Sequence, residues 1–146
     1  MSIELGLIHG VISVRDIPAA GREIKSPGAC DQWLDLHRIY CNSLNHRLDP
    51  FELIDRVPLH RILQIRIAGA AWRDGFWSVE HNGPVPPPLW RLLEYTLRRA
   101  PNVAGVVFEI LEPFAKRLSR EAITRELRTA CLIWERCRGA NLYAAA

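Results

Sequence analysis

From residue 32 onward the chain alternates between short apolar stretches with strand character and longer stretches with helical spacing. The segment WLDLHRIYC (33–41) reads as a first short strand on its aromatic and apolar content. Asp49-Pro50-Phe51-Glu52 opens a helix: Asp49 can cap it, Pro50 suits the first helical position, and Glu52 stands where a capping box places its acid. Phe51, Ile54 and Val57 form its apolar side and Pro58 stops it. In RILQIRIAG, Leu63, Ile65 and Ile67 point one way and Ile62, Gln64, Arg66 and Ala68 the other, the period of a second strand. A loop containing Trp72, Gly75, Phe76, Trp77 and Gly83 follows, longer than a tight turn needs and therefore a candidate for function. Pro86 to Pro88 introduce a helix in which Leu89, Leu92, Leu93 and Leu97 recur at helical spacing. AGVVFEI is apolar almost throughout, as in a strand buried on both faces. Ser119 caps a last helix with Ile123, Leu127, Cys131 and Trp134 on one stripe, and Gly139 ends it.

The order strand, helix, strand, helix, strand, helix predicts an α/β fold with a parallel sheet over residues 32–139. Residues 1–31 read as irregular, with a possible strand where Ile3, Leu5 and Leu7 alternate, and residues 140–146 as a tail. At 146 residues the chain makes one domain, short of the roughly 250 residues of a closed eight-stranded α/β barrel.

Composition narrows the function classes. With 49% hydrophobic and 24% charged residues, the chain is globular rather than disordered. No apolar run approaches the roughly 20 residues that span a bilayer, and no basic-then-apolar signal opens the chain, so a cytoplasmic location is expected. The net charge of +3 comes mostly from arginines interleaved with acids, as in Arg120, Glu121, Arg125, Glu126 and Arg128. That spacing describes a salt-bridged helix face, and no nucleic-acid recognition motif accompanies it. Cys30, Cys41, Cys131 and Cys137 form no CxxC pair and read as reduced structural thiols.

In parallel α/β proteins reactive residues gather at the C-terminal ends of the strands. Asp35 and His37 fall in the first strand, Asn45-His46 in the loop after it, Arg66 near the end of the second, and Glu109 near the end of the third. Asp74, Glu80 and His81 lie in the long loop. Carboxylates and imidazoles converging at strand ends are what a divalent metal requires. Glu109 carries the most weight, because a carboxylate in an apolar strand needs a metal, an arginine or solvent. His60 precedes a strand, at the other end of the sheet, and reads as structural. Trp72, Asp74 and Trp77 are candidates for contacting a substrate, with packing the equal alternative for the aromatics.

From about Gln32 to Trp134 the sequence resembles the C-terminal half of the multinuclear non-haem iron-dependent oxidative enzymes (the MNIO family). The matching pieces are LDLHRIYCNSLNHRLDPFELIDRVPLHRILQIRIAG, WRDGFW, HNGPVPPPLWRLLEYTLRR and VVFEILEP, the most specific being Asn42 to His46 with Asp49-Pro50, then Ile67-Ala68-Gly69. The resemblance implies part of a xylose-isomerase-like TIM-type barrel, here a parallel βαβαβα half-barrel. It implies two or three iron ions, oxidative modification of a peptide (often at cysteine), oxygen as co-substrate, and a partner protein presenting the peptide. Residue by residue it makes Asp35, His46, His81 and Glu109 metal ligands, with Glu80 and His37 as further possibilities. Three positions depart from the family: Arg38 stands where Asn or His is expected, Arg66 where the histidine of Ile-His-x-Ala-Gly belongs, and Val79 where the aspartate of Asp-x-His belongs. The family strand with a ligand histidine is echoed only by Leu7-Ile8-His9-Gly10-Val11.

Arginine in place of a neutral imidazole puts a fixed cation where a metal cation would bind. The expected compensation is an ion pair of Arg66 with Glu109 or Asp35. Two readings follow. One is an iron-dependent oxidative enzyme whose barrel another chain completes. The other is a catalytically inactive half-barrel that binds a protein or peptide partner or persists as a remnant. Both predict association, since a half-barrel exposes strand edges and inward-facing apolar side chains.

Overall fold

The computed structural model describes residues 11–15, 32–78 and 80–139, as a four-stranded sheet with helices and a separate two-stranded hairpin. In chain order the elements are β1 (Val11–Arg15), β2 (Gln32–Asp35), α1 (Leu36–His46), α2 (Pro50–Asp55), a 3₁₀ turn (Leu59–Arg61) and β3 (Ile62–Ala68). There follow β4 (Ala71–Arg73), β5 (Phe76–Ser78), α3 (Pro87–Arg99), β6 (Gly105–Glu109), α4 (Glu112–Ala115) and α5 (Arg120–Arg138). The alternating strands β2, β3 and β6 are parallel neighbours, in agreement with the expected order. The possible strand at Ile3 to Leu7, His9, Cys30, Val79 and the tail lie outside the described residues.

Three features differ from the sequence reading. First, WLDLHRIYC is not one strand: β2 stops at Asp35, whose side chain accepts the Arg38 N–H and caps an 11-residue helix. The aromatic and branched residues Ile39 and Tyr40 pack from a helix, where tertiary contacts override their strand preference. His37, Arg38 and Asn45-His46 are therefore helical. Second, Val11–Arg15, in the stretch read as irregular, forms an antiparallel strand against β6, with Val11 opposite Glu109 and Arg15 opposite Gly105. Third, the long loop contains the hairpin β4–β5. Asp74 and Gly75 both have positive φ, 48° and 89°, the signature of a two-residue type I′ turn.

The helices and the sheet share one core. Leu34, Ile65, Ile67, Val106 and Phe108 from one sheet face meet Leu89, Leu92, Leu93 and Leu97 of α3, and Leu127, Ile133 and Trp134 of α5. Each of these α3 leucines is almost fully buried, worth roughly 1.5–3 kcal/mol relative to exposure. Because Asp35 pairs with Arg66, and Arg66 with Val107, the opposite face carries Trp33, Asp35, Arg66, Val107 and Glu109. The helix-packed face thus fixes the sheet, and the other face holds the candidate chemistry. Among the described residues no helix is long and apolar enough to cross a membrane.

Candidate functional site at the strand ends

The C-terminal ends of the parallel strands bring four of the candidate residues together. Asp35 is the last residue of β2 and the cap of α1, so its carboxylate is held by the Arg38 N–H at 3.0 Å. His37, one position into α1, turns Nδ1 to Asp35 at 3.3 Å, and its ring lies edge-on to His81 with centroids 4.7 Å apart. His81 Nδ1 lies 3.5 Å from the Glu109 carboxylate at the end of β6. His81 reaches this place with φ of 53°, a left-handed conformation uncommon for a histidine, and its carbonyl accepts the Leu111 N–H. The loop that follows is tied to α5, where the Glu126 carboxylate accepts the Val85 N–H at 3.0 Å.

Each carboxylate of this row has an arginine on its other side. Arg66 Nη1 is 3.2 Å from Glu109, and its guanidinium stacks on Trp33 with 4.0 Å to the ring centroid. Arg38 Nε is 3.5 Å from Asp35. Trp33–Arg66–Glu109 runs diagonally across three strands on one sheet face, as the register requires. The ion pair expected from the sequence is present, with Glu109 as the partner of Arg66.

The electrostatics follow from burial and these neighbours. For Asp35, burial raises the pKa, but the His37 hydrogen bond, the Arg38 N–H and the nearby charges together hold it below 3.8. Burial pushes the His81 imidazole below 6.5, helped by His37 and opposed by Glu109, so it is neutral at pH 7. The Cys41 thiol, fully buried on the inner side of α1, is pushed up to about 11 by burial and by Asp35, consistent with an inert structural thiol. His37 is 1% exposed and its Nε2 has no hydrogen-bond partner among the described residues.

Iron does not fit these side chains as they stand. Among the described residues no group of three or more His, Cys, Asp or Glu side chains is arranged to hold a metal ion. Both carboxylates are neutralised by arginines. A guanidinium about 4 Å from a divalent ion would repel it by roughly twice the ~4 kcal/mol of a singly charged pair at an effective dielectric of ~20.

The remaining candidates lie elsewhere. His46 is exposed at the far end of α1 from Asp35, about 16 Å along an 11-residue helix at ~1.5 Å per residue. Glu80 pairs with Arg73 at 3.0 Å and accepts from Asn82. Asp74 sits in the hairpin turn, while Trp72 and Trp77 face each other at 5.7 Å with a T-shaped geometry. Asn45, which sequence reasoning left beside the site, instead joins two elements. Its amide donates to the Trp77 carbonyl at 2.9 Å and accepts the Trp77 N–H at 2.7 Å. An open groove of about 620 Å³ lies next to this junction, lined by Arg38, Asn42, Asn45, Phe76, Trp77, Ser78 and Glu80. Trp33 and Asn42 were missed. Trp33 was legible as the in-face neighbour of Arg66 only once the strand register was known.

A model of the family described as RiPP precursor modification enzyme MbnB/TglH/ChrH matches residues 21–126. Among curated proteins, the UPF0276 protein of Acaryochloris marina is 37% identical over 70 residues, 48% of this chain and 25% of the relative. That of Caulobacter vibrioides is 36% identical over 78 residues, 53% of this chain and 28% of the relative. That of Acinetobacter baylyi is 32% identical over 92 residues, 62% and 31%. The chain thus spans only about a quarter to a third of the length of these relatives.

Proposed function

Because the chain belongs to the MbnB/TglH/ChrH family of RiPP precursor modification enzymes, we propose that it acts in peptide modification as a metal-free member that holds a peptide rather than oxidising it. The observation that carries this reading is the Arg66–Glu109 ion pair at 3.2 Å, where the family resemblance expects a neutral histidine beside a ligand carboxylate. The Arg38–Asp35 pair, between the first turn of α1 and the end of β2, repeats the substitution beside it.

In this reading residues 32–139 form half of a TIM-type barrel and a second chain supplies the missing strands. Two features support it: among the described residues β2 stands at the edge of the sheet, and the face bearing Asp35, Arg66 and Glu109 leaves Trp33 half exposed. Residues 1–31 and 140–146 flank that unit. The second reading, an iron enzyme whose remaining ligands another chain contributes, is favoured by one observation. Asp35, His37, His81 and Glu109 already form a contiguous row, with His37 Nε2 lacking a partner among the described residues.

The two readings separate on iron content. Protein purified without oxygen, loaded with ferrous iron and desalted is expected to retain far less than one iron per chain by elemental analysis. One or more irons per chain, lost in His81→Ala and Glu109→Ala, would establish the second reading instead.

A further inference from the structure

The hairpin β4–β5 finishes its two edges differently: Asn45 binds the β5 edge, while the β4 edge has no such partner among the described residues. The Asp74-Gly75 turn makes Arg73 and Phe76 the closing hydrogen-bonded pair. Antiparallel pairs alternate, so Trp72 and Trp77 form a non-hydrogen-bonded pair whose N–H and C=O groups point outward, away from each other. Trp77 bears this out: both of its outward groups are bound by the Asn45 amide, which closes the β5 edge as a short strand would. By the same alternation, the N–H and C=O of Trp72 point to the outer edge of β4. No backbone group among the described residues outside the hairpin bonds to them. Trp72 is 59% exposed, the most exposed large apolar residue described.

The side chains define what fits there. Trp72 and Trp77 lie directly opposite on one face of the hairpin, in a T-shaped contact. A third strand on the β4 edge would place one residue opposite Trp72 on that face, extending the row. Aromatic and β-branched side chains make the stronger cross-strand contacts at such a position, and proline there could not donate. We propose that the outer edge of β4 is a strand-addition site, at which an extended peptide pairs with the N–H and C=O of Trp72 and sets an aromatic or β-branched side chain against its indole. The proposal rests on the reading that this chain holds a peptide. Two backbone hydrogen bonds and one side-chain contact make it a weak site on its own, suited to guiding a peptide held elsewhere as well.

The test uses the full chain, ¹⁵N-labelled, and a capped ten-residue peptide of alternating valine and threonine with one central tyrosine. A second peptide carries an N-methyl group on the tyrosine nitrogen and leaves the protein unchanged. The expected result is saturable amide shifts centred on Ala71, Trp72 and Arg73, slowed exchange of the Trp72 amide, and at least tenfold weaker binding of the N-methyl peptide. Trp72→Pro removes the donor of the other hydrogen bond, the Trp72 N–H, together with the indole, and should weaken the parent peptide at least as much. Shifts confined to the groove at Arg38 and Asn42, equal binding of both peptides, or no saturable binding would each overturn the strand-addition site. So would shifts on β4 that grow with protein concentration without peptide, which would put a second copy of the chain on this edge. The metal-free reading is judged separately by iron content, so the two can fail independently.

Discussion

Arg66 decides how the strand-end residues behave. Its guanidinium lies between the Trp33 ring and the Glu109 carboxylate, so removing it strips a part-buried acid of its cation. Arg66→Ala is expected to lower stability by about 1–3 kcal/mol in urea unfolding. The double substitution of Arg66→His with Arg38→Asn should behave differently: divalent metal should raise its melting temperature, an effect expected to be absent in the unmodified chain. His81 contributes a pH dependence. Its folded-state pKa is below 6.5, so between the two values the unfolded chain binds more protons than the folded one, and stability rises with pH across that window. As pH falls below 6.5, stability should decline. Asp35, held below 3.8, adds a further loss only in stronger acid. His81→Gln should remove the first part of the decline, seen by comparing urea midpoints at about pH 7.5 and about pH 5.5. The Arg66–Glu109 pair was legible in the sequence because a carboxylate in an apolar strand needs a counter-charge. The His37–His81 contact was not, since it depends on α1 beginning at Leu36 rather than later.

At the scale of elements, the parallel strands and long helices were legible and the short pieces were not. The leucine spacing of α3 and the apolar run of β6 are periodic over enough residues to identify themselves. WLDLHRIYC was misread because Asp35 looks like a polar strand residue until its capping role is seen. The hairpin signal, Asp74-Gly75 between Trp72-Arg73 and Phe76-Trp77, was present but hidden in a segment judged by its length. Two residues fix how these elements join. A Cβ on Gly69 would run into the Gly83 backbone carbonyl, which gives the glycine of Ile67-Ala68-Gly69 a packing reason. Gly69→Ala should therefore cost about 1–3 kcal/mol, read by chemical denaturation. Asn45→Ala removes the two Asn45 bonds between α1 and β5, and hydrogen exchange at Trp77 should accelerate while α3 amides stay protected.

For the whole molecule, the family is shown over most of the chain, yet the chain spans about a quarter to a third of its relatives. The half-barrel reading predicts association, because β2, at the edge of the sheet among the described residues, carries the half-exposed Trp33, which favours a partner. Light scattering after size exclusion should report more than one chain per particle; a well-behaved monomer would count against the half-barrel. The proposed replacement of metal by arginine at the strand ends is tested by a crystal structure of the protein grown with ferrous iron without oxygen, with anomalous data collected across the iron edge. The expected map has no anomalous peak among Asp35, His81 and Glu109, and has Arg66 within hydrogen-bond distance of Glu109. An iron peak bound by His81 and Glu109, with Arg66 swung away, would show that metal and not arginine holds these carboxylates.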